Sequence, residues 1–387
     1  IAFVVFSCVG AGVVLAQPLW TGLNGNSNWS EAGNWNPPAV PVDTEDVDIQ
    51  NAAFDPAVDI LLAAGDELGS LSMLANSSLD LLGQTFVTVG ALSIADGASI
   101  TNTAGAVPLN ALSLTIPAGA TVVLGVNFDL NVAGAVVIEA GASLDLNGND
   151  LSAGSVTLQD GATLTSGAAA VVTTGTFDIA AAGTVALGAN LTITATGAAT
   201  VQAGASLDLN GLDLAAASLT LQNGANLDST GGSTVTTTGN AVFGTGAAVT
   251  VDPAVAIDVS GTTTIDIGLG NDLSLTNPAN SFNDAAPGIT VTSARNIAIV
   301  DSVGDTRLGP STINGDYTIT APGTWNDSGV STIAGTATFN IGTNVIVSEL
   351  SSFGALSVTA DSADIVDVTA TDIAFLDINP GNFTLDS

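Results

Sequence analysis

The chain has 387 residues, of which 36 are acidic and only two are basic, and its formal net charge is −34. Such a surface repels nucleic acid and anionic membranes, because phosphate binding depends on Lys and Arg. The sequence contains no His, which excludes His-ligated zinc and His-based nucleophilic catalysis. The hydrophobic fraction of 46% is still sufficient for a core, and the abundance of glycine favours strands and tight turns over helices.

Residues 1–16 form an apolar run that ends in the small-residue pattern Val14-Leu15-Ala16 before Gln17. This is typical of the hydrophobic part of a secretory signal, and it is shorter than the roughly 20 residues that span a bilayer. We therefore expect an exported protein whose signal segment is truncated at its start, with no membrane insertion within this chain. The only cysteine, Cys8, falls in this segment, so the exported part is expected to lack disulfides and Cys-ligated metals.

Residues 17–54 form a Trp-rich segment with three of the four tryptophans, Trp20, Trp29 and Trp35. We interpret it as an N-terminal cap, because the first coil of a repeat structure needs a polar lid. The alternative is a surface on which the aromatic rings stack against sugars.

An internal repeat organises the next part of the chain. The octapeptide GASLDLNG occurs at 141–148 and again at 204–211, so the two copies are offset by 204 − 141 = 63 in the sequence. The first glycine of this string belongs to a series of turn positions that recur at intervals between 20 and 22, and three such intervals make 63. The series is Asp55, Asn76, Gly97, Gly119, Gly141, Gly161, Gly183, Gly204, Gly224 and Gly246.

The hydrophobic pattern around these positions predicts the fold. The residue three places after each position is aliphatic in every unit except that of Gly183, where it is Ala186. Apolar and polar residues alternate nearby with the period of two that marks a strand. The prediction is an all-β protein, a right-handed parallel β-helix (β-solenoid) with coils of about 21 residues over 55–267. Ten such coils, stacked at about 4.8 Å, give a rod of about 45 Å.

One residue further along, the pattern places side chains outward, and several of them are aspartates. In this column Asp59 would stack over Asp80, and Asp208 over Asp228. Like charges about 5 Å apart repel unless they are screened or bridged, and calcium prefers carboxylate oxygens. These four residues are the candidate metal ligands, with calcium as the candidate cofactor. The alternative is a solvated acidic face in salty water.

Two segments resemble a known class of proteins. The stretch WTGLNGNSNWSEAGNWNPP at 20–38 resembles the opening segment of many bacterial autotransporter passengers. The stretch ITVTSARNIAIVDSVGD at 289–305, followed by GTATFNI at 335–341, resembles the long repeats of filamentous-haemagglutinin-like adhesins. The resemblance implies that residues 268–387 are further β-solenoid repeats, truncated at the C-terminus, and that the protein lies outside the cell or at the bacterial cell surface. No amino-terminal secretion domain of the two-partner type is recognisable.

The function predicted from these features is that of a secreted or cell-surface, adhesin-like structural protein, not an enzyme. The resemblance implies host, surface or matrix glycans or proteins as partners, and self-association remains open. One alternative is a β-helical carbohydrate-active enzyme. However, a lyase acting on an acidic sugar usually needs Arg or Lys, and here only Arg295 and Arg307 are present. The other alternative is a surface-layer or sheath component without a specific ligand.

Overall fold

The computed structural model describes residues 18–20, 32–41, 46–49, 58–59, 67–81, 88–102, 108–282, 288–367, 372–378 and 381–386. The predicted signal segment, residues 1–16, lies outside the described residues. No helix in the described part of the chain is long and apolar enough to cross a membrane.

The described residues before the regular coils form three short strands and one turn of 3₁₀ helix. These are β1 (Leu19–Trp20), the helical turn Ala32–Asn34, β2 (Trp35–Asn36) and β3 (Asp46–Ile49). Strand β1 pairs antiparallel with β2 and parallel with β3, and β3 pairs parallel with the first long strand of the coils.

The regular coils consist of long and short strands in alternation. In chain order they are β4 (Val58–Asp59), β5 (Glu67–Met73), β6 (Ser78–Asp80), β7 (Thr88–Ile94), β8 (Ser99–Thr101), β9 (Leu109–Ile116), β10 (Thr121–Val123), β11 (Leu130–Ile138), β12 (Ser143–Asp145), β13 (Leu151–Leu158), β14 (Thr163–Thr165), β15 (Ala170–Ile179), β16 (Thr184–Ala186), β17 (Leu191–Val201), β18 (Ser206–Asp208), β19 (Leu214–Leu221) and β20 (Asn226–Asp228).

Every long strand pairs in parallel with the long strand of the next coil, as the repeat predicts. Leu71 lies in register with Leu92, so the sequence advances by 92 − 71 = 21 around this coil, and Leu92 lies in register with Leu114. The aliphatic side chains of both strand types are buried inside the coil, where no coil alone could cover them. The predicted parallel β-solenoid, with its coil length near 21, is therefore confirmed.

One turn position was assigned wrongly from the sequence. The left-handed residue of the seventh turn in the regular series is Ala182 (φ 56°), not Gly183. Counted from Ala182, the residues three before and three after are Ile179 and Val185, and both are buried. They lie in register with the core residues of the next coil, so the apparent exception at Ala186 disappears. A second correction is that Leu227 pairs with Val251, which moves the last turn position two residues beyond Gly246.

The short-strand sheets are interrupted after β8 and again after β14, so the two breaks are three coils apart, and we call this period the three-coil unit. The short strands form three separate sheets, β4–β6–β8, then β10–β12–β14, then β16–β18–β20–β23. Left-handed asparagines follow the same period, since Asn190 occurs three coils after Asn127, and Asn210 three coils after Asn147. The duplicated octapeptide occupies the same place in two successive three-coil units.

Beyond residue 230 the coils become less regular. The strands are β21 (Ser233–Thr237), β22 (Ala241–Phe243), β23 (Thr250–Val251), β24 (Val255–Val259), β25 (Thr263–Asp266), β26 (Asp272–Leu275), β27 (Ser281–Phe282), β28 (Ile289–Ser293), β29 (Asn296–Val300), β30 (Thr306–Leu308), β31 (Ser311–Ile313), β32 (Tyr317–Ala321), β33 (Trp325–Asp327), β34 (Ser331–Ile341), β35 (Asn344–Ala360), β36 (Ser362–Asp367), β37 (Asp372–Ile378) and β38 (Phe383–Asp386).

The last coils are slightly shorter than the regular ones and contain aromatic residues in their core. Thr306 pairs with Trp325, and Trp325 with Val345, so the sequence advances by 325 − 306 = 19 and then by 345 − 325 = 20. Phe339 packs between Trp325, at a centroid distance of 4.5 Å, and Phe353, at 6.2 Å. Parallel stacking therefore continues through the segment that resembles haemagglutinin-like repeats.

Candidate functional site

The Trp-rich segment packs against the first coil. Trp20 and Trp35 are 6% and 2% exposed, and their rings meet edge to face at a centroid distance of 5.1 Å. Because both rings are buried, they offer no open face on which a sugar could stack. Trp29, the third tryptophan of the predicted cap, lies outside the described residues.

The structure brings the candidate metal ligands together in two pairs, which differ. Asp208 and Asp228 lie in register on adjacent short strands, as expected for the column. The backbone of Asp59 is likewise in register with Asp80. However, Asp80 is only 4% exposed, between Leu79 and Leu81, which are both buried, so it does not lie on an open surface. The side chain of Asp59 lies outside the described residues.

The carboxylates of the second pair already accept hydrogen bonds from the backbone. One oxygen of Asp208 accepts the N–H of Asn210 at 2.8 Å and that of Thr230 at 3.3 Å. A carboxylate oxygen of Asp228 accepts the N–H of Ser229 at 2.7 Å. The described residues contain no group of three or more acidic or Cys side chains placed to hold a metal ion. Calcium binding at Asp208 and Asp228 remains a prediction, whereas the hydrogen bonds that their carboxylates accept from backbone N–H groups are part of the structure.

The same arrangement recurs one three-coil unit earlier, at Asp145. Its carboxylate accepts the N–H of Asn147 at 2.8 Å and the N–H of Gly167, on the next coil, at 2.9 Å. The side-chain amide of Asn147 donates to the carbonyl of Leu124 on the preceding coil at 3.0 Å. The string Asp-Leu-Asn-Gly therefore ties three consecutive coils together at one corner.

A second set of polar side chains lies three residues before the short strands β8, β14 and β20. Asp96, Asp160 and Asn223 each accept, through one side-chain oxygen, the backbone N–H of a threonine on the next coil. We call these three residues the corner acceptors. The distances are 2.9 Å to Thr121, 2.9 Å to Thr184 and 2.7 Å to Thr245. Asp96 and Asp160 act where the short-strand sheet is interrupted and supply a partner that the ladder lacks, whereas Asn223 acts ahead of the paired strands β20 and β23.

Further acidic residues contribute similar bonds along the rod. In each, a carboxylate accepts a backbone N–H from the following coil, at distances of 2.7 to 2.8 Å, and the acceptors are Asp150, Asp213, Asp305, Asp316 and Asp327. The sequence predicts these acidic residues as surface charges or metal ligands, and their role as acceptors between coils was not predicted. The signal that could have revealed it is the recurrence of Asp or Asn beside the turn positions.

The one ion pair between described residues lies on the surface of the irregular coils. The Arg295 guanidinium donates to both carboxylate oxygens of Asp272, and the Nε–Oδ1 distance is 2.7 Å. Hydrogen bonding and charge from Arg295 lower the pKa of Asp272, although burial acts in the opposite direction. The pair is half exposed and links two neighbouring coils on the surface.

An open groove lies on the irregular coils. Two carboxylates line it, together with serines and apolar side chains: Asp258, Val259, Ser260, Ser281, Phe282, Val303, Gly304 and Asp305. One of the two, Asp305, already accepts the N–H of Thr324 at 2.7 Å. A glycosidase would need two carboxylates free to act as acid and as base or nucleophile.

Comparison with known proteins finds one matching family. A family of repeats of unknown function (DUF5649) matches residues 215–286 and 294–348, on both sides of the domain boundary predicted at 267/268. No curated protein and no solved structure gives a significant match to the chain. The comparisons and the structure together describe a repeat β-solenoid protein.

Proposed function

We propose that this chain is a secreted or cell-surface structural β-solenoid. It presents an extended acidic surface, as an adhesin does. Its function is to display a surface: coils stack into a rod, and binding is distributed over the faces and corners of the rod. No catalytic step is part of the proposal.

The observation that carries the proposal is the continuity of coil-to-coil pairing. Parallel pairing runs from β3, which pairs with β5, to β36, which pairs with β38. A structure whose backbone hydrogen bonds run from coil to coil along the rod gains length with each added coil and needs no separate domain. This continuity supports the proposed role as a spacer or display element.

The use of the acidic residues supports the same conclusion. The corner acceptors and the carboxylates of Asp145 and Asp208 are engaged with backbone N–H groups. They contribute to the stacking itself, and charges left on the surface keep such rods soluble. The proposed location outside the cell is supported by the signal-like residues 1–16 and by the resemblance to autotransporter and haemagglutinin-like proteins.

The adhesive role can be tested with microspheres that carry the purified chain. We expect them to be retained on surfaces coated with extracellular-matrix proteins or glycans more strongly than microspheres carrying an unrelated protein of equal negative charge. Equal retention of both kinds of microsphere would contradict the adhesive role and leave the spacer role.

The enzymatic alternative is tested with neutral and acidic polysaccharides, followed by assay of newly formed reducing ends. We expect no product. Product that is lost in the variants Asp258→Asn and Asp305→Asn would replace the proposal by a carbohydrate-active enzyme whose site is the groove.

A further inference from the structure

The repeat contains a chemically reactive dipeptide, Asn-Gly, at several places. The backbone nitrogen that follows an asparagine can attack the side-chain Cγ, and glycine hinders this attack least because it has no Cβ. The sequence has Asn-Gly at Asn24, Asn147, Asn210, Asn223 and Asn314. The first lies outside the described residues, and the other four occupy different surroundings.

Asn147 and Asn210 are held in a geometry that opposes the attack. Both are in the left-handed region, with φ values of 51° and 50°, in the tight turns of the two octapeptides. The attacking nitrogen is also engaged: Gly148 N–H donates to Ser166 Oγ at 2.8 Å, and in the later copy of the octapeptide Gly211 N–H donates to Ser229 Oγ at 3.1 Å. Both side-chain amides donate to carbonyls of the preceding coil at 3.0 Å.

Asn223 is held by a different set of bonds. It is one of the corner acceptors, and its side-chain oxygen accepts the N–H groups of Thr245 and Ala247 at 2.7 and 3.1 Å. The nitrogen of Gly224 donates to the carbonyl of Ala248 at 2.6 Å. The amide group and the attacking nitrogen are therefore both occupied.

Asn314 differs from these three residues. It follows β31 in a bend and is exposed, and its φ is not in the left-handed region. Its backbone N–H donates to Ala294 at 2.9 Å. Among the described residues, neither its side-chain amide nor the N–H of Gly315 has a hydrogen-bond partner.

We propose that Asn314 is a site of spontaneous deamidation in the folded protein, and that the solenoid protects Asn147, Asn210 and Asn223. The nitrogen of Gly315 loses its proton to water or hydroxide and forms a bond to Cγ of Asn314, and the side-chain nitrogen leaves as ammonia. Water then opens the cyclic imide to aspartate or isoaspartate. The net change is the gain of one water and the loss of one ammonia, with no oxidant or cofactor.

The new carboxylate would appear near one of the chain's two cations. Ile313 lies in register with Ala294, which places Asn314 beside Arg295 on the preceding coil. Arg295 is already paired with Asp272, so the modification would add a second anion beside that pair. This inference concerns a slow covalent modification of the turn after β31, and it does not depend on the adhesive role.

The test is peptide mapping by mass spectrometry after the folded chain has been kept in mildly alkaline buffer. We expect conversion at Asn314 to be at least about tenfold faster than at the three other asparagines, because at those three one or more hydrogen bonds must break first. In the denatured chain the difference should disappear. Equal rates at all four positions in the folded protein would overturn the proposal.

A matched variant tests the protective mechanism directly. Ser166→Ala removes the acceptor of Gly148 N–H, and Asn210 with its intact Ser229 serves as the reference within the same chain. We expect deamidation at Asn147 to rise relative to Asn210. An unchanged rate in a folded Ser166→Ala chain would contradict protection by the engaged nitrogen, and Asn314→Gln should remove the acidic charge variants that accumulate in the parent.

Discussion

At the scale of single residues, the corner acceptors explain part of the acidity of this chain. Asp160 accepts the N–H of Thr184 where the short-strand sheet is interrupted, and Asn223 accepts that of Thr245 from the matching position ahead of β20. Asp160→Ala should therefore lower stability by about 1–2 kcal/mol, because a backbone N–H loses its partner. Asp160→Asn should be nearly neutral, since the chain itself uses Asn at the third corner. Denaturant unfolding of the two variants measures the difference, and equal loss in both would show that charge, not the acceptor, matters.

The single tyrosine gives a specific pH prediction. Burial raises the pKa of the Tyr317 phenol; the Trp325 indole opposes this rise, and the charge of Asp301 adds to it. A raised folded-state pKa contributes stability below the unfolded value near 10, and this stability is lost as the pH rises above that value. We expect no phenolate absorbance near pH 10 while the chain is folded, and ordinary titration in denaturant. Because the sequence contains one tyrosine, the ultraviolet signal reports Tyr317 alone.

The effect of calcium bound at the predicted site can be distinguished from the general screening of charge by salt. If calcium bridges Asp208 and Asp228, millimolar calcium should raise the unfolding temperature more than a monovalent salt at the same ionic strength. The variant Asp228→Asn should abolish this excess, whereas Asp145→Asn, at the same corner one three-coil unit earlier, should retain it. A calcium effect no larger than the salt effect would leave these aspartates as turn-stabilising groups only.

At the scale of strands and turns, close contacts between coils explain where glycine is required. A Cβ on Gly188 would lie 2.0 Å from Oγ1 and 2.1 Å from Cβ of Thr165 on the preceding coil. Gly188→Ala should therefore destabilise the protein by about 1–3 kcal/mol through overpacking. Gly270→Ala is the matched control, because a Cβ there meets no atom within 4 Å. A thermal shift of equal size in both variants would contradict the steric explanation.

The turns also show how far the sequence alone could predict this fold. Coil length and the buried ladder followed from glycine spacing and alternation, since both depend on residues within one coil. The pattern misplaced the turn at Ala182, which takes a left-handed conformation without being glycine. Shifting the register by one residue places Ile179 and Val185 in the buried ladder. The hydrophobic pattern therefore already indicated the correct turn position.

The role of the polar corners was beyond sequence reasoning for a physical reason. The bond between Asp160 and Thr184 joins residues on two different coils, and its existence depends on the offset between those coils. Asp80 is only 4% exposed, although the alternation of buried residues in its own strand, at Leu79 and Leu81, places it on the opposite side from the core. Spacing within a coil contains no information about such offsets.

At the scale of the whole molecule, the three-coil unit can be removed as a block. Deletion of residues 141–203 joins Ala140 to Gly204 and restores the same octapeptide that followed Ala140 before. The shortened chain should fold and lose about 14 Å of length, which is three coil spacings. Small-angle scattering and circular dichroism check this expectation. Deletion of residues 141–193 is the control, because it removes a fractional number of coils and should disrupt stacking.

The direction of the hydrogen bonds has a consequence for the rod under tension. The chain runs around the axis, whereas the bonds between coils run along it, as the pairing of Leu71 with Leu92 shows. A force applied to the two ends would act on the terminal coil first, and the coils would unfold one at a time from the end of the rod. Each coil of about 21 residues would release roughly 70 Å of extended chain in place of roughly 5 Å of rod. Under load the rod would therefore behave as an extensible tether that absorbs mechanical work before it breaks.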